Sequence, residues 1–240
     1  MKNHSTKPKS RSDKSPGLIG EPAVKFLRTL KRNNRRDWFD AHRDRYEVDL
    51  KRPAKRLAED LRPLLSPHYP WLEFSSKALF RINRDTRFSG DKTPYKTWIG
   101  YWFRDRRFDK DWASGLYLGL DPTGLALGCG IWRFQSLQRS IFRERITQSP
   151  SEMSFVRAID SLEQAGFEMM GRDLKKIPSG YDPDHVNAPF LRHNGLYAAK
   201  EIDFPKSFGT ARFASDLAKL FKPCSELLDW MATQLPRKAV

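Results

Sequence analysis

The spacing of the apolar residues changes near Trp71 and again near Trp132, and these changes restrict the choice of fold. Before Trp71 the apolar residues recur about every three to four positions, as on one face of a helix. Between Trp71 and Trp132 short β-branched or aromatic runs are bounded by Gly, Pro, Asp and Ser, which is typical of strands and hairpins. After Trp132, segments with helical spacing and segments with strand-like composition alternate. This order predicts an α+β fold with a central, mainly antiparallel sheet and with helices at the N-terminus and packed on one face.

Several short runs have the composition and bounding residues of strands. In the central block they are Lys77 to Asn83, Thr97 to Phe103, Gly115 to Leu120 and Leu125 to Trp132, and later runs are Phe167 to Met170 and Leu196 to Ile202. The sequence Asp121-Pro122-Thr123-Gly124 predicts a turn between two of them.

Helical spacing marks the remaining segments. They are Ala23 to Leu30, Arg35 to Leu64 with a kink or restart at Pro53, Leu137 to Ile146, Ser151 to Gly166, a helix beginning at Asp182-Pro183, and Thr210 to Leu235 with an interruption near Pro223. The run Ser149-Pro150-Ser151-Glu152 is a capping box that opens the helix ending at Gly166. We expect that helix to bury Met153, Val156, Ile159 and Leu162.

The charge of the chain favours anionic partners. Lys and Arg number 44 against 29 Asp and Glu, which gives a formal net charge of +15. Residues 1–17 hold five of the cations and one acid in a Ser/Pro-rich segment, so we expect a disordered basic tail followed by a single domain over residues 18–240. Cys129 and Cys224 have no partner spacing, and no apolar run reaches about 18 residues, so we expect reduced thiols, no membrane span and a cytoplasmic location.

An unusual density of cations lies in the first predicted strand and in the loop that follows it. Guanidinium groups bind phosphate or carboxylate oxygens in pairs, so this stretch predicts a site for a small anion. The alternative is a structural network in which Asp85 and Asp91 form ion pairs with the arginines of the same stretch. The candidate ligand-binding residues are Arg81, Arg84, Asp85, Arg87, Asp91, Lys92, Tyr95 and Lys96, with Trp132 from the fourth strand.

One face of the fourth predicted strand has almost no side chains. Gly124, Ala126, Gly128 and Gly130 alternate with larger residues and lead to Trp132. A glycine surface permits close approach by a helix or by a ligand. We expect a packed helix there, with ligand binding as the alternative.

Four motifs resemble a known family. They are Asn33-Asn34-Arg-Arg-Asp-Trp38-Phe39, the run from Phe80 to Lys96, Gly128-Cys129-Gly130-Ile-Trp132, and Leu174-Lys-Lys-Ile-Pro178-Ser-Gly180-Tyr181-Asp182. Together they resemble the domain of unknown function 2461 family, with Cys129 standing where the family more often has glycine. The resemblance implies a single domain and gives no mechanism.

Three functions therefore remain as hypotheses. The first is binding of a small phosphorylated or carboxylated ligand, with or without catalysis. The second is nucleic-acid binding by the basic surface and its aromatic residues, and the third is a structural or partner-binding role. The histidines lack the spacing of a zinc site, so we predict no metal. Cofactor and oligomeric state stay unknown.

Overall fold

The structure is a computed structural model that describes residues 17–148 and 151–236. The predicted tail, residues 1–17, lies outside this part except for Gly17. The α-helices of the described part are α1 (Glu21–Arg32), α2 (Arg36–Ala41), α3 (Arg43–Arg45), α4 (Arg52–Leu65), α5 (Ser136–Arg145), α6 (Ser151–Gln164), α7 (Phe213–Phe221) and α8 (Ser225–Gln234). None of the helices in these ranges has the length and apolar character needed to cross a bilayer.

The strands of the described residues form one sheet. They are β1 (Ile99–Arg104), β2 (Gly115–Leu120), β3 (Leu125–Ile131), β4 (Glu168–Arg172) and β5 (His193–Ile202). Their order is β1-β2-β3-β5-β4, and every neighbouring pair is antiparallel. The predicted α+β fold with a mainly antiparallel sheet is confirmed.

The N-terminal helices form because their apolar residues share one stripe. Val24, Phe26, Leu27 and Leu30 of α1 are fully buried, and acidic and basic residues lie at the helix ends that suit their charge. The predicted helix from Arg35 to Leu64 is divided into α2, α3, a π-helical turn at Tyr46–Lys51, and α4. Pro53 lies in the first turn of α4, directly after the π-helical turn, so the predicted kink or restart corresponds to a change of helix type within a continuous helical segment.

The helices cover one face of the sheet. Alternate residues of β2 and β3 point towards them and are buried, among them Leu116, Leu118, Leu127 and Cys129. The hydroxyl of Tyr101 in β1 donates to the Ala54 carbonyl in α4 at 2.9 Å, which ties the sheet to this helix. Burying one such leucine stabilises the fold by about 1.5 to 3 kcal/mol.

The predicted strand from Lys77 to Asn83 is wrong. The segment starts with a 3₁₀ helix at Ser76–Ala78 and then makes isolated bridges, from Leu79 to Tyr101 and from Asn83 to Tyr95. Because its partner changes from β1 to residues after Pro94, which has no N–H, no continuous ladder forms. The alternate residues Ala78, Phe80 and Ile82 also lack a common environment, since Ala78 and Ile82 are buried while Phe80 is 37% exposed.

Two other predictions need correction. No α-helix begins at Asp182, because its side chain accepts a hydrogen bond from the Asp184 N–H and forms a turn, and a 3₁₀ helix follows at Ala188–Arg192. In α6 the buried stripe is Phe155, Ala158, Ile159 and Leu162, whereas Met153 is 67% exposed. Residues 149 and 150 of the capping box lie outside the described residues. The glycine end of this helix is confirmed, since Gly166 has a φ of +79°.

Candidate functional site

Two of the three arginines of the predicted anion site, Arg84 and Arg87, bind acceptors of the same loop. The Arg84 guanidinium donates to the Asp91 carboxylate and to the Thr93 hydroxyl. Arg87 binds both oxygens of Asp85, with Nε at 3.0 Å and Nη2 at 2.7 Å. Arg84 and Arg87 are therefore each paired with one aspartate of the loop.

These contacts shift the titration of the two aspartates. Hydrogen bonds from the Arg87 side chain lower the pKa of Asp85 to about 2. The Thr93 backbone N–H, followed by the Arg84 side chain, lowers the pKa of Asp91 to about 2. Both carboxylates are thus ionised at neutral pH and offset part of the positive charge of the loop.

The remaining candidates occupy different environments. Lys92 donates to the Thr86 carbonyl at 2.9 Å, and Lys96 donates to the Arg81 carbonyl at 2.7 Å. Arg81 is exposed. Tyr95 is buried, and its ring stacks on Phe39 with centroids 4.0 Å apart. Tyr95 therefore anchors the loop to α2 through its ring.

The structure brings the first family motif against this loop. The Asn34 side chain donates to the Tyr95 carbonyl at 2.8 Å and accepts from the Tyr95 N–H at 3.1 Å. Between the two segments lies a pocket of about 430 Å³, here called the basic pocket. Its lining residues are Asn34, Arg35, Arg36, Asn83, Arg84, Thr86, Lys92, Pro94 and Tyr95.

The basic pocket contains residues that the site prediction missed. Asn34, Arg35 and Arg36 are far from the loop along the chain, and only the tertiary contact through Tyr95 places them there. The available signal was the Asn33-to-Phe39 motif, one of the four motifs that resemble the known family. Among the described lining residues the cations are Arg35, Arg36, Arg84 and Lys92, and none is a carboxylate.

A second depression lies on the sheet face away from the helices. Its floor consists of small residues on β3 and β5, namely Ala126, Gly128 and Gly130 of β3 and Ala199 of β5, which pairs with Gly128. Its walls are aromatic: Trp132 and Tyr197 on one side, with ring centroids 4.8 Å apart, and Phe80, Trp102 and Tyr117 on the other. This aromatic cleft has a volume of about 520 Å³.

The glycines of this face let aromatic rings lie on the backbone. A Cβ at Gly100 would be 2.6 Å from the Trp98 ring, and one at Gly115 would be 2.7 Å from the Trp102 indole nitrogen. The expected helix over the Gly128 face is wrong, because none of the described residues lining the cleft belongs to a helix. Trp132 lies at the cleft edge and is 76% exposed.

Fold and sites together define an α+β protein whose antiparallel sheet has one helix-covered face and one open aromatic face, with a basic pocket beside it. The chain belongs to the family described as conserved hypothetical protein (DUF2461), whose model matches residues 22–230. The motif resemblance is thereby confirmed. No curated protein and no solved structure matches the chain.

Proposed function

We propose that the protein binds a small phosphorylated or carboxylated ligand in the basic pocket. The observation that carries this proposal is the lining of the pocket, which combines cations from two distant segments with no carboxylate among its described residues. Planar guanidinium groups suit the paired oxygens of phosphate and carboxylate. The net charge of +15 would also attract such ligands.

The cations of the pocket differ in how far they are engaged. Arg84 is paired with Asp91, and Arg35 lies 3.4 Å from Asp37 in an exposed pair. Among the described residues, the Arg36 side chain has neither a hydrogen bond nor an ion pair, and it is exposed at the pocket. Arg36 is therefore proposed as the main anion ligand, assisted by Lys92, which also donates to the Thr86 carbonyl. Asp91 is proposed to position Arg84, while the Asp85–Arg87 pair lies outside the pocket lining.

A thermal-shift series tests this proposal. With pyrophosphate or citrate at about 100 times its dissociation constant, binding stabilises the fold by about 2.7 kcal/mol. For a chain of this size that corresponds to a rise in Tm of roughly 5 to 10 °C. Arg36→Ala should raise the dissociation constant of the anion about tenfold, because a hydrogen bond to a charged group is lost.

Arg62→Ala is the matched control, since Arg62 is an exposed arginine of α4 that does not line the pocket. It should leave the anion response unchanged. If no anion in the panel raises the Tm, or if Arg36→Ala behaves like Arg62→Ala, the proposal is wrong.

Nucleic-acid binding is the second candidate, and one observation favours it. Phe88 at the tip of the loop is 95% exposed, with the Arg87 guanidinium 5.7 Å from its ring centroid. Exposed aromatic rings among cations are typical of single-strand binding. Binding of an oligonucleotide with a steep salt dependence that Phe88→Ala reduces would support this candidate.

The third hypothesis, a structural or partner-binding role, gains support from the Arg84–Asp91 and Arg87–Asp85 pairs. It predicts that neither anions nor oligonucleotides bind. No catalytic residue is proposed. The single domain over residues 18–240 and the cytoplasmic location stay predictions.

A further inference from the structure

The aromatic cleft is a separate feature that the proposed anion site does not use. Its walls and floor share no lining residue with the basic pocket. A concave site of a few hundred cubic ångströms lined by aromatic residues is typical of small-molecule binding.

The shape of the cleft suits a flat ring. Tyr117 of β2 and Ala199 of β5 are the cross-strand neighbours of Gly128 in β3. Tyr197 of β5 is the cross-strand neighbour of Gly130, two residues further along β3. Strands two places apart are separated by roughly 10 Å. Aromatic rings prefer partners whose centroids are about 4.5 to 7 Å away. A ring lying over Gly128 can therefore contact the aromatic residues of both walls.

The polar lining of the cleft indicates what the ring carries. Glu201 lines the cleft beside Ala126, and among the described residues its carboxylate forms no ion pair. The neighbouring Lys200 is engaged, since its ammonium donates to the Ala165 carbonyl at 2.6 Å. A carboxylate only accepts hydrogen bonds when ionised, so it favours an N–H donor on the ligand.

We infer that the aromatic cleft binds an amino-substituted aromatic heterocycle of nucleoside size, with its ring stacked against Trp132 and its amino group donating to Glu201. The volume of about 520 Å³ fits one such molecule. The ligand needs no phosphate for this contact. The inference therefore stands independently of the basic pocket.

Isothermal titration with adenosine tests the inference, and purine riboside, which lacks the amino group, is the matched ligand. The wild-type chain should bind adenosine at least fivefold more tightly than purine riboside. Glu201→Gln, which keeps only a neutral amide acceptor, should reduce this preference, and Glu201→Ala, which has no acceptor, should abolish it. Glu163→Gln, which removes a carboxylate on α6 away from the cleft, is the control and should keep it.

Two further variants test the position of the ring. Trp132→Ala should weaken the binding of both ligands about tenfold, as expected for a lost base–aromatic stack. Because Trp132 is exposed, this variant should remain folded. Ala199→Leu places a larger side chain on the floor and should block both ligands, while pyrophosphate binding at the basic pocket stays at the wild-type level.

The inference is overturned if adenosine does not bind at millimolar concentration or if Trp132→Ala binds it as tightly as wild type. It is also overturned if an adenine oligonucleotide binds much more tightly than adenosine, since that result indicates an extended strand. Loss of anion binding by Arg36→Ala with unchanged adenosine binding separates the two sites.

Discussion

The two faces of the central sheet differ completely in composition although they share every strand. In β3, Leu127 and Cys129 point to the helices and are buried in the core, while Gly128 and Gly130 point to the aromatic cleft. In β2, Leu116 and Leu118 face the helices, and Tyr117 faces the cleft. One face thus supplies apolar burial, and the other supplies a shaped surface.

This difference shows that one strand can contribute to stability through one face and to binding through the other. Because successive side chains point to opposite faces, substitutions at neighbouring positions act on different properties. Changes on the covered face should alter the free energy of unfolding, and changes at the cleft should mainly alter binding. The following predictions test this division, from the largest effect to the smallest.

Leu127→Ala should destabilise the protein by about 2 to 5 kcal/mol, because it removes a buried side chain and leaves a cavity between β3 and the helices. Trp132→Ala, the comparison on the open face, should cost about 1 kcal/mol or less, since Trp132 is exposed. Equilibrium urea unfolding measures both. Equal losses would contradict the division between the faces.

Thiol chemistry compares the faces directly. Cys129 of β3 and Cys224 in the 3₁₀ helix between α7 and α8 are buried, and burial raises the pKa of the Cys224 thiol. Both should react slowly with an aromatic disulfide reagent. A cysteine introduced by Ala126→Cys lines the cleft and should react on the order of 100-fold faster. Similar rates at all three positions would show that the cleft is closed in solution.

Gly130→Ala should cost about 1 to 3 kcal/mol, although Gly130 lies on the open face. Its φ is +128°, and an added Cβ would be 2.3 Å from the Leu196 carbonyl oxygen. Gly128→Ala should cost less, because its Cβ would be 3.1 Å from the Ala198 carbonyl oxygen. Thermal unfolding of both variants ranks them, and the reverse order would be inconsistent with the described backbone.

Lowering the pH should break the two Arg–Asp pairs of the cationic loop before it unfolds the core on the covered face. The pKa values of Asp85 and Asp91 are lowered from 3.8 to about 2, so their contribution is complete above pH 3.8 and is lost as the pH falls through about 2. The amide NMR signals of Arg87 and Thr93, which donate to these carboxylates, should titrate with midpoints near 2. Asp85→Asn should remove the transition at Arg87, and midpoints near 3.8 would contradict the pairing.

Much of the local structure could be predicted because it depends on neighbours in sequence. The strand Gly115–Leu120, the change of helix type near Pro53 and the interruption near Pro223 follow from alternation and from proline geometry, and each is present. The segment from Lys77 to Asn83 has a similar alternation but no continuous partner strand. A periodic pattern shows that a segment can form a strand, but it does not identify the partner strand.

The sequence alone determined the α+β class, the family, the charge and the cationic loop, since composition and short-range spacing are properties of the chain itself. Only the tertiary structure placed Asn34, Arg35 and Arg36 beside that loop, and only it left the Gly128 face open while the helices covered the opposite one. The physical reason is that these arrangements depend on contacts between distant segments. Such contacts form where shape and polarity match across the fold, and no local pattern records them.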